Sequence, residues 1–235
     1  IRENTEGLYG DCGGVFKSGT ADEIAVQEDI NTRKGVERIL RYAFEYCAGH
    51  QKADGSPRRR VLMCDKSNAL THAGALWQKT FREVGADYGG IASEHMYVDA
   101  LALEMVRDPG RFDVIVTNNL FGDILTDLAA ALQGGLGMAA SGNIHPGRTS
   151  MFEPVHGSAP PLAGKNVANP MGAILSTALL VEFLGFPEAR RKMEQAVLEA
   201  VQQKKTTPDI GGQLGTEQVG DWVAARIERL RPSAP

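Results

Sequence analysis

Cysteine is scarce in this chain. There are three, Cys12, Cys47 and Cys64, and they show neither metal-ligand spacing nor a paired framework. That excludes a structural zinc module and a disulfide scaffold, and it fits a reducing, cytoplasmic setting. No apolar run approaches the length of a membrane span and no signal peptide is visible, so no membrane partner is expected. Neither sign of charge is in large excess: 25 basic against 29 acidic residues leave a formal net charge of −4, which argues against a nucleic-acid surface. The triplet Arg58-Arg59-Arg60 then reads as a solvated loop edge leading into a strand. The G-x-G-x-x-G fingerprint is missing, so an ordinary Rossmann dinucleotide site is not indicated. Internal repeats and low-complexity tracts are missing too. So is an initiator methionine: the chain opens at Ile1 inside the run Arg2-Glu-Asn-Thr-Glu-Gly and is expected to be the carboxyl-terminal part of a longer protein.

What is present is a globular composition, 43% hydrophobic and 23% charged. The length of 235 residues allows one large domain or two small ones. Residues 10–30 are rich in Gly, Asp and Thr around a short alternating stretch at Glu23–Gln27, which predicts a projecting hairpin or arm. Apolar residues Val36, Ile39, Leu40, Ala43, Phe44 and Cys47 recur at helical spacing over 31–48, with Asn31 or Thr32 as N-cap. A strand at 60–64, a helix at 71–84, a strand near 90–95, a helix from Val98 to Arg107 and a strand at 113–117 follow. Beyond residue 134 the texture turns to glycine and then to a long loop reaching Pro170. Three helices are expected near 170–185, 187–203 and 215–231, the last two separated by Thr206-Thr-Pro-Asp-Ile-Gly-Gly212. The alternation predicts an α/β protein whose first domain spans 1–134 and whose second spans 135–235.

The most informative run is Asn118-Asn-Leu-Phe-Gly-Asp-Ile-Leu-Thr-Asp127. Asp123 and Asp127 lie four apart in an expected helix, so both carboxylates share one face. The strand that feeds this helix places it where ligands gather, at the carboxyl end of a parallel sheet. At about 4 Å and an effective dielectric near 20, two such charges repel by roughly 4 kcal/mol. A hard divalent cation, Mg²⁺ or Mn²⁺, would turn that cost into binding. Two unrelated acids on a solvated helix face would show the same spacing. Tyr9 follows Arg2 closely and reads as a general acid near an anion-binding arginine, or as an ordinary turn aromatic. Lys66 ends an apolar strand; it suits proton transfer if partly buried, or snorkels to the surface. Asp99 opens a helix, as a first-turn acid favoured by the helix dipole or as a third metal carboxylate. The small-residue loop Phe152-Glu-Pro-Val-His-Gly-Ser-Ala-Pro160 offers backbone donors for an anion.

Together these motifs, with Asp65-Lys-Ser-Asn68, Tyr97-Val-Asp99 and Ala168-Asn-Pro170, resemble the β-decarboxylating dehydrogenases in order and over essentially the whole chain. That family acts on 3-isopropylmalate, isocitrate, homoisocitrate, and tartrate or D-malate. The resemblance implies its two-domain fold: a central mixed sheet flanked by helices, with residues 1–134 a dimerisation and catalytic domain and 135–235 part of the cofactor-binding domain. It implies Asp99, Asp123 and Asp127 as ligands of Mg²⁺ or Mn²⁺, Arg2 as the grip on a substrate carboxylate, and Lys66 and Tyr9 as proton-transfer groups. Asn68 would lie near the nicotinamide of NAD, and Glu153, His156, Gly157, Ser158, Ala159 and Asn169 on the cofactor's other side. Lys66 and Asp99 would serve the neighbouring subunit's site in an obligate homodimer clasped by the arm. The runs at 65–70, 137–143 and 207–212 look most like members acting on 3-isopropylmalate, in leucine biosynthesis. Tartrate or D-malate is the second choice, and a non-catalytic regulatory subunit a third. Two departures stand out. The family's amino-terminal third is absent. Pro161 also stands where members using NAD usually carry an aspartate for the adenosine ribose, and it offers neither a side-chain acceptor nor an amide donor.

Overall fold

The structure, a computed structural model, describes residues 1–52 and 55–230. It divides into two compact units that part between Leu128 and Ala129, six residues before the boundary expected from sequence.

The first unit is built on three parallel strands in the order β4-β3-β5, with β3 at Arg60–Asp65, β4 at Ala92–Tyr97 and β5 at Val114–Thr117. Central strand β3 reads Val-Leu-Met-Cys without alternation and is buried from Val61 to Asp65, as a strand covered on both faces must be. Residues 1–3 extend the sheet past β5. Thr117 N donates to Ile1 O (3.1 Å) and Glu3 N to Thr117 O (3.0 Å), and Arg2 lies parallel to Thr117. Within this unit the described sheet is parallel throughout. Every strand pair in the sheet is parallel, because helices α2 (Thr71–Gly85) and α3 (Val98–Arg107) provide the crossovers that parallel pairing needs. Among the described residues, antiparallel strand pairs are found in two separate two-stranded hairpins, with isolated antiparallel bridges at Gly7–Ile30 and Gln51–Pro57.

Helix α1 (Arg33–Gly49) starts at Thr32, whose Oγ1 accepts from Gly35 N at 3.0 Å. Its Val36, Leu40, Ala43, Phe44 and Cys47 form one buried stripe, which packs with Trp77, Phe81 and Val84 of α2 and with β3 and β5. Phe44 stacks on Tyr88 with ring centroids 5.0 Å apart and tilts against Phe81 at 5.7 Å. The arm is a hairpin of β1 (Gly13–Phe16) and β2 (Ile24–Gln27), exposed at every position. Its first strand was not legible in the sequence because Gly-Gly-Val-Phe carries no alternation.

The second unit holds a hairpin, β6 (Ala140–Asn143) with β7 (Met151–Pro154), and helices α5 (Met171–Phe183), α6 (Pro187–Gln202) and α7 (Thr216–Arg229). Met171, Ala196, Val197, Ala200, Val219 and Val223 form its core. The hairpin lies where sequence suggested only loop, since Ala-Ser-Gly-Asn and Met-Phe-Glu-Pro are poor strand formers. Contact with α5 overrides that preference. A Cβ on Gly172 would sit 3.1 Å from Gly137 O and 3.3 Å from Ala139 O, so glycine lets the helix approach closely. Among the described residues no helix is long and apolar enough to cross a membrane.

Candidate active site

The segment leading to Tyr9 is fixed by two glutamates. Glu3 is buried, and its carboxylate accepts from Thr5 N (3.1 Å), Glu6 N (2.9 Å) and Arg38 of α1 (3.1 Å). The turn at residues 3–6 thus wraps around one acid. Glu6 caps the start of α1, accepting from Thr32 N at 2.8 Å and Thr32 Oγ1 at 2.6 Å, where the helix dipole favours a negative charge. These contacts deliver Arg2 and Tyr9 to the carboxyl end of the sheet.

There Arg2 meets α4 (Asn119–Leu132), which Asn118 caps by accepting from Phe121 N at 2.9 Å. Asn119 Oδ1 accepts from Arg2 Nε (3.0 Å) and an Arg2 terminal nitrogen (2.7 Å), and the other terminal nitrogen pairs with Asp123 at 2.8 Å. Gly122 makes this approach possible, because a Cβ there would fall 2.5 Å from Arg2 Cγ. The Arg2 guanidinium also lies 5.5 Å from the Tyr9 ring centroid. Asp123 beside the Tyr9 phenol, with desolvation and the carboxylate's charge, raises the Tyr9 pKa against the opposing pull of Arg2. Tyr9 therefore stays a protonated acid at neutral pH. Asp127 lies one turn beyond Asp123 on α4 and is exposed.

Lys66 and Asp99 form a separate cluster. Lys66 Nζ pairs with Asp99 Oδ1 at 2.5 Å and lies 5.9 Å from the Tyr97 ring centroid. The Lys66 hydrogen bond, then backbone donors at the start of α3, hold the Asp99 carboxyl below its ordinary pKa. Asn68 follows in the exposed turn between β3 and α2. Among the described residues, no three His, Cys, Asp or Glu side chains come together closely enough to hold a metal. Asp123 and Asp127 share a helix face as expected, and Asp99 is not joined to them within the chain. The donors fit a hard divalent cation in type, being carboxylate oxygens without sulfur or imidazole, but one chain gathers only two of the three.

In the second unit Glu153 lies in β7, one residue before its end, in an exposed position. His156 Nδ1 bonds Gly157 O (2.9 Å), Gly157 faces open space, and Ala159 adopts a left-handed conformation with φ of 43°. With Ser158 exposed beside them, this loop offers bare backbone to a ligand. Pro161 lies within a short 3-10 turn, Pro160–Leu162, and contributes no donor. Asn169 is oriented at both ends of its amide: Oδ1 accepts from Met171 N and Nδ2 donates to Asp209, each at 3.0 Å. The loop and Asn169 thus offer backbone and amide groups to a ligand, and Pro161 offers no carboxylate.

Sequence reasoning missed Asn119, Glu3, Glu6 and Asp209, and also Asp65 and His95 behind Lys66. All but His95 lie inside or beside motifs that were read, yet each is engaged by at least one partner far away in sequence, which leaves no local spacing to find.

The family model for isocitrate/isopropylmalate dehydrogenases matches residues 1–223. The 3-isopropylmalate dehydrogenase of Thermobifida fusca is 49% identical over 229 residues, covering 97% of this chain and 62% of that protein. The Beutenbergia cavernae protein of the same name is 47% identical, covering 97% and 63%. The chain therefore spans a little over three fifths of these curated relatives. Among solved structures, an isocitrate dehydrogenase from Methylococcus capsulatus superposes with a TM-score of 0.87 at 41% identity, covering 97% of this chain and 66% of that one. The TT0538 protein from Thermus thermophilus superposes with a TM-score of 0.83 at 33% identity, covering 100% and 47%.

Proposed function

The chain belongs to the isocitrate/isopropylmalate dehydrogenase family, and on that footing we propose that the whole protein oxidatively decarboxylates 3-isopropylmalate to 2-oxo-4-methylpentanoate, reducing NAD, in leucine biosynthesis. The observation that carries this reading is the convergence of Arg2 and Tyr9 on Asp123, one helical turn from Asp127, at the carboxyl end of a parallel sheet. It places an anion grip, a protonated acid and metal-type oxygens at one spot.

The roles follow from the groups. Arg2 grips a substrate carboxylate through its planar fork. Lys66 accepts the proton of the substrate hydroxyl as the carbon beneath it gives up a hydride to NAD. The β-keto acid then loses CO₂, and Tyr9 protonates the enolate carbon left behind. Asp99, Asp123 and Asp127 would hold Mg²⁺ or Mn²⁺, which when bound supplies Lewis-acid polarisation of the carbonyl and charge stabilisation of the enolate. His156 to Ala159, Glu153 and Asn169 would hold the adenosine side of NAD, and Asn68 the nicotinamide side.

A homodimer with shared active sites accounts for the separation of Asp99 from Asp123 and Asp127. The arm exposes Val15, Phe16 and Ile24, each at 50% or more, as an apolar edge for a second copy to cover. The three free thiols, two of them buried, go with a cytoplasmic setting. The test is cofactor reduction by the full-length protein with Mn²⁺, comparing 3-isopropylmalate, isocitrate, homoisocitrate, D-malate and tartrate, with NAD⁺ and then NADP⁺. Preference for 3-isopropylmalate and NAD⁺, abolished by EDTA, is expected. Preference for malate or tartrate would move the assignment to that branch, and silence on all five would favour a regulatory subunit.

A further inference from the structure

Behind Lys66 lies a buried acid that the reaction does not use. Asp65, the last residue of β3, is 5% exposed. Its Oδ1 accepts from His95 Nε2 at 2.8 Å and from Ser67 N at 3.0 Å, and its Oδ2 accepts from Gln78 Nε2 at 2.9 Å. A carboxylate that deep costs several kcal/mol of desolvation unless its oxygens are satisfied, roughly the worth of the charge-assisted bonds found here. An apolar residue would end a central strand at no such cost. The acid's position calls for a reason beyond stability.

Its partners supply one. Lys66 sits between Asp65 and Ser67, so both flanking residues of the reactive lysine are tied to one carboxylate. His95 is on β4, two residues before Tyr97 and four before Asp99, and its ring meets Tyr97 edge-on at 5.0 Å. Lys66 in turn reaches Asp99. A closed circuit results: β3 to Lys66, across to Asp99, back through the start of α3 into β4, and across from His95 to Asp65. The Asp65–His95 contact closes it at the buried Asp65 carboxylate and the Lys66–Asp99 contact closes it at the surface. Gly74 of α2 contributes independently. A Cβ there would lie 2.3 Å from Ser67 Cβ and 2.5 Å from Ser67 Cα, so α2 is pressed against the turn that carries Lys66. A ring nitrogen facing a carboxylate oxygen acts as the donor, so His95 carries a proton on Nε2, either as that neutral tautomer or as imidazolium.

We propose that Asp65 and His95 form an internal clamp that positions Lys66 and Asp99 as a single unit, fixing the lysine amine at the distance its proton transfer requires. Both are positioning residues and neither touches substrate. The kinetic part of this inference rests on the dehydrogenase reading; the structural part does not.

The experiment compares His95→Phe, which removes the donor, with His95→Gln, whose amide restores it, and with Gln78→Leu, which removes one donor from the clamp's rim and serves if His95→Phe fails to fold. Two readouts are taken on the full-length protein. One is acetylation of Lys66 by acetic anhydride, followed by mass spectrometry and normalised to exposed Lys34. The other is kcat and KM with 3-isopropylmalate. Loss of the clamp is expected to raise relative Lys66 labelling several-fold and to lower kcat by about 10²-fold, the scale for a reacting group misplaced by about 1 Å, with KM changed less than about twofold. His95→Gln is expected to recover most of both. The proposal is overturned if His95→Phe and Gln78→Leu leave Lys66 labelling and kcat as in the wild type, or if the glutamine is no better than the phenylalanine. It is overturned equally if all lysines gain reactivity together, since that marks general loosening. A wild-type protein inactive on every hydroxy acid would refute the dehydrogenase reading, while the labelling would still decide on the clamp.

Discussion

Gly122→Ala separates two physical expectations of opposite sign. Gly122 lies inside α4, where alanine is favoured over glycine by about 1 kcal/mol. Helix propensity alone therefore predicts a more stable protein. The structure predicts the reverse. A Cβ at this position would lie 2.5 Å from Arg2 Cγ and 2.9 Å from both Arg2 Cβ and Cδ. These are stem atoms, and the stem cannot swing aside freely. The Arg2 backbone is tied to β5, while its head is held by Asn119 at 2.7 Å and Asp123 at 2.8 Å. Relieving the contact needs a shift of about 1 Å, and overpacking of that kind costs about 1–3 kcal/mol. Set against the helix gain, the net loss comes to roughly 1 kcal/mol, with about 2 kcal/mol as the upper end. Function should suffer more. If the displaced guanidinium loses one charge-assisted bond to a substrate carboxylate, worth about 1.5–3 kcal/mol, KM rises about ten- to a hundredfold. Urea unfolding and steady-state kinetics on the full-length protein measure both. A variant more stable than the wild type with an unchanged KM would refute the packing argument and, with it, the role given to Arg2.

Three further outcomes follow from the same structure. Phe44→Ala empties the centre of the first unit's core and should cost about 3–5 kcal/mol in denaturant unfolding; a cost under about 1 kcal/mol would mean the core is misplaced. Burial pushes the Cys64 thiol up to about 12 and raises that of Cys47, so iodoacetamide at about pH 8 should modify exposed Cys12 in the native protein and spare the other two. Modification of Cys64 at the rate of Cys12 would contradict its burial. The Asp99 carboxyl is held below its ordinary value by Lys66, so the pair's contribution is fully present above the unfolded-state pKa and is lost as pH falls through the lower folded one. An NMR titration should give an Asp99 midpoint below that of an ordinary aspartate, and a raised midpoint would remove the pair.

Local periodicity carried much of the fold. The stripe Val36, Leu40, Ala43, Phe44 and Cys47 marks α1 because one face repeats every three to four residues, and Thr32 announces its start. The helix Val98–Arg107 was legible because Asp108-Pro109-Gly110 closes it. The hairpin of β6 and β7 was not, since its residues have weak strand preference and are held by contact with α5. The spacing of Asp123 and Asp127 placed two carboxylates on one face. It gave no sign that Arg2 and Tyr9 would both converge on Asp123, a contact between segments at opposite ends of the first unit's sequence. Gly74 and Gly122 carry no spacing signal of their own in the sequence. Their purpose is close approach by another segment, which only the fold reveals. Asp65 was hidden for a similar reason, since an acid at the end of an apolar strand resembles a strand terminus facing water.

The most direct test of the central claim is NADH formation from 3-isopropylmalate with Mn²⁺, measured for the full-length wild-type protein beside Lys66→Ala. Metal-dependent turnover by the wild type is predicted, with a loss of at least about 10²-fold in kcat when the base is removed. Turnover unchanged by Lys66→Ala would contradict the role of Lys66 and the dehydrogenase mechanism built on it.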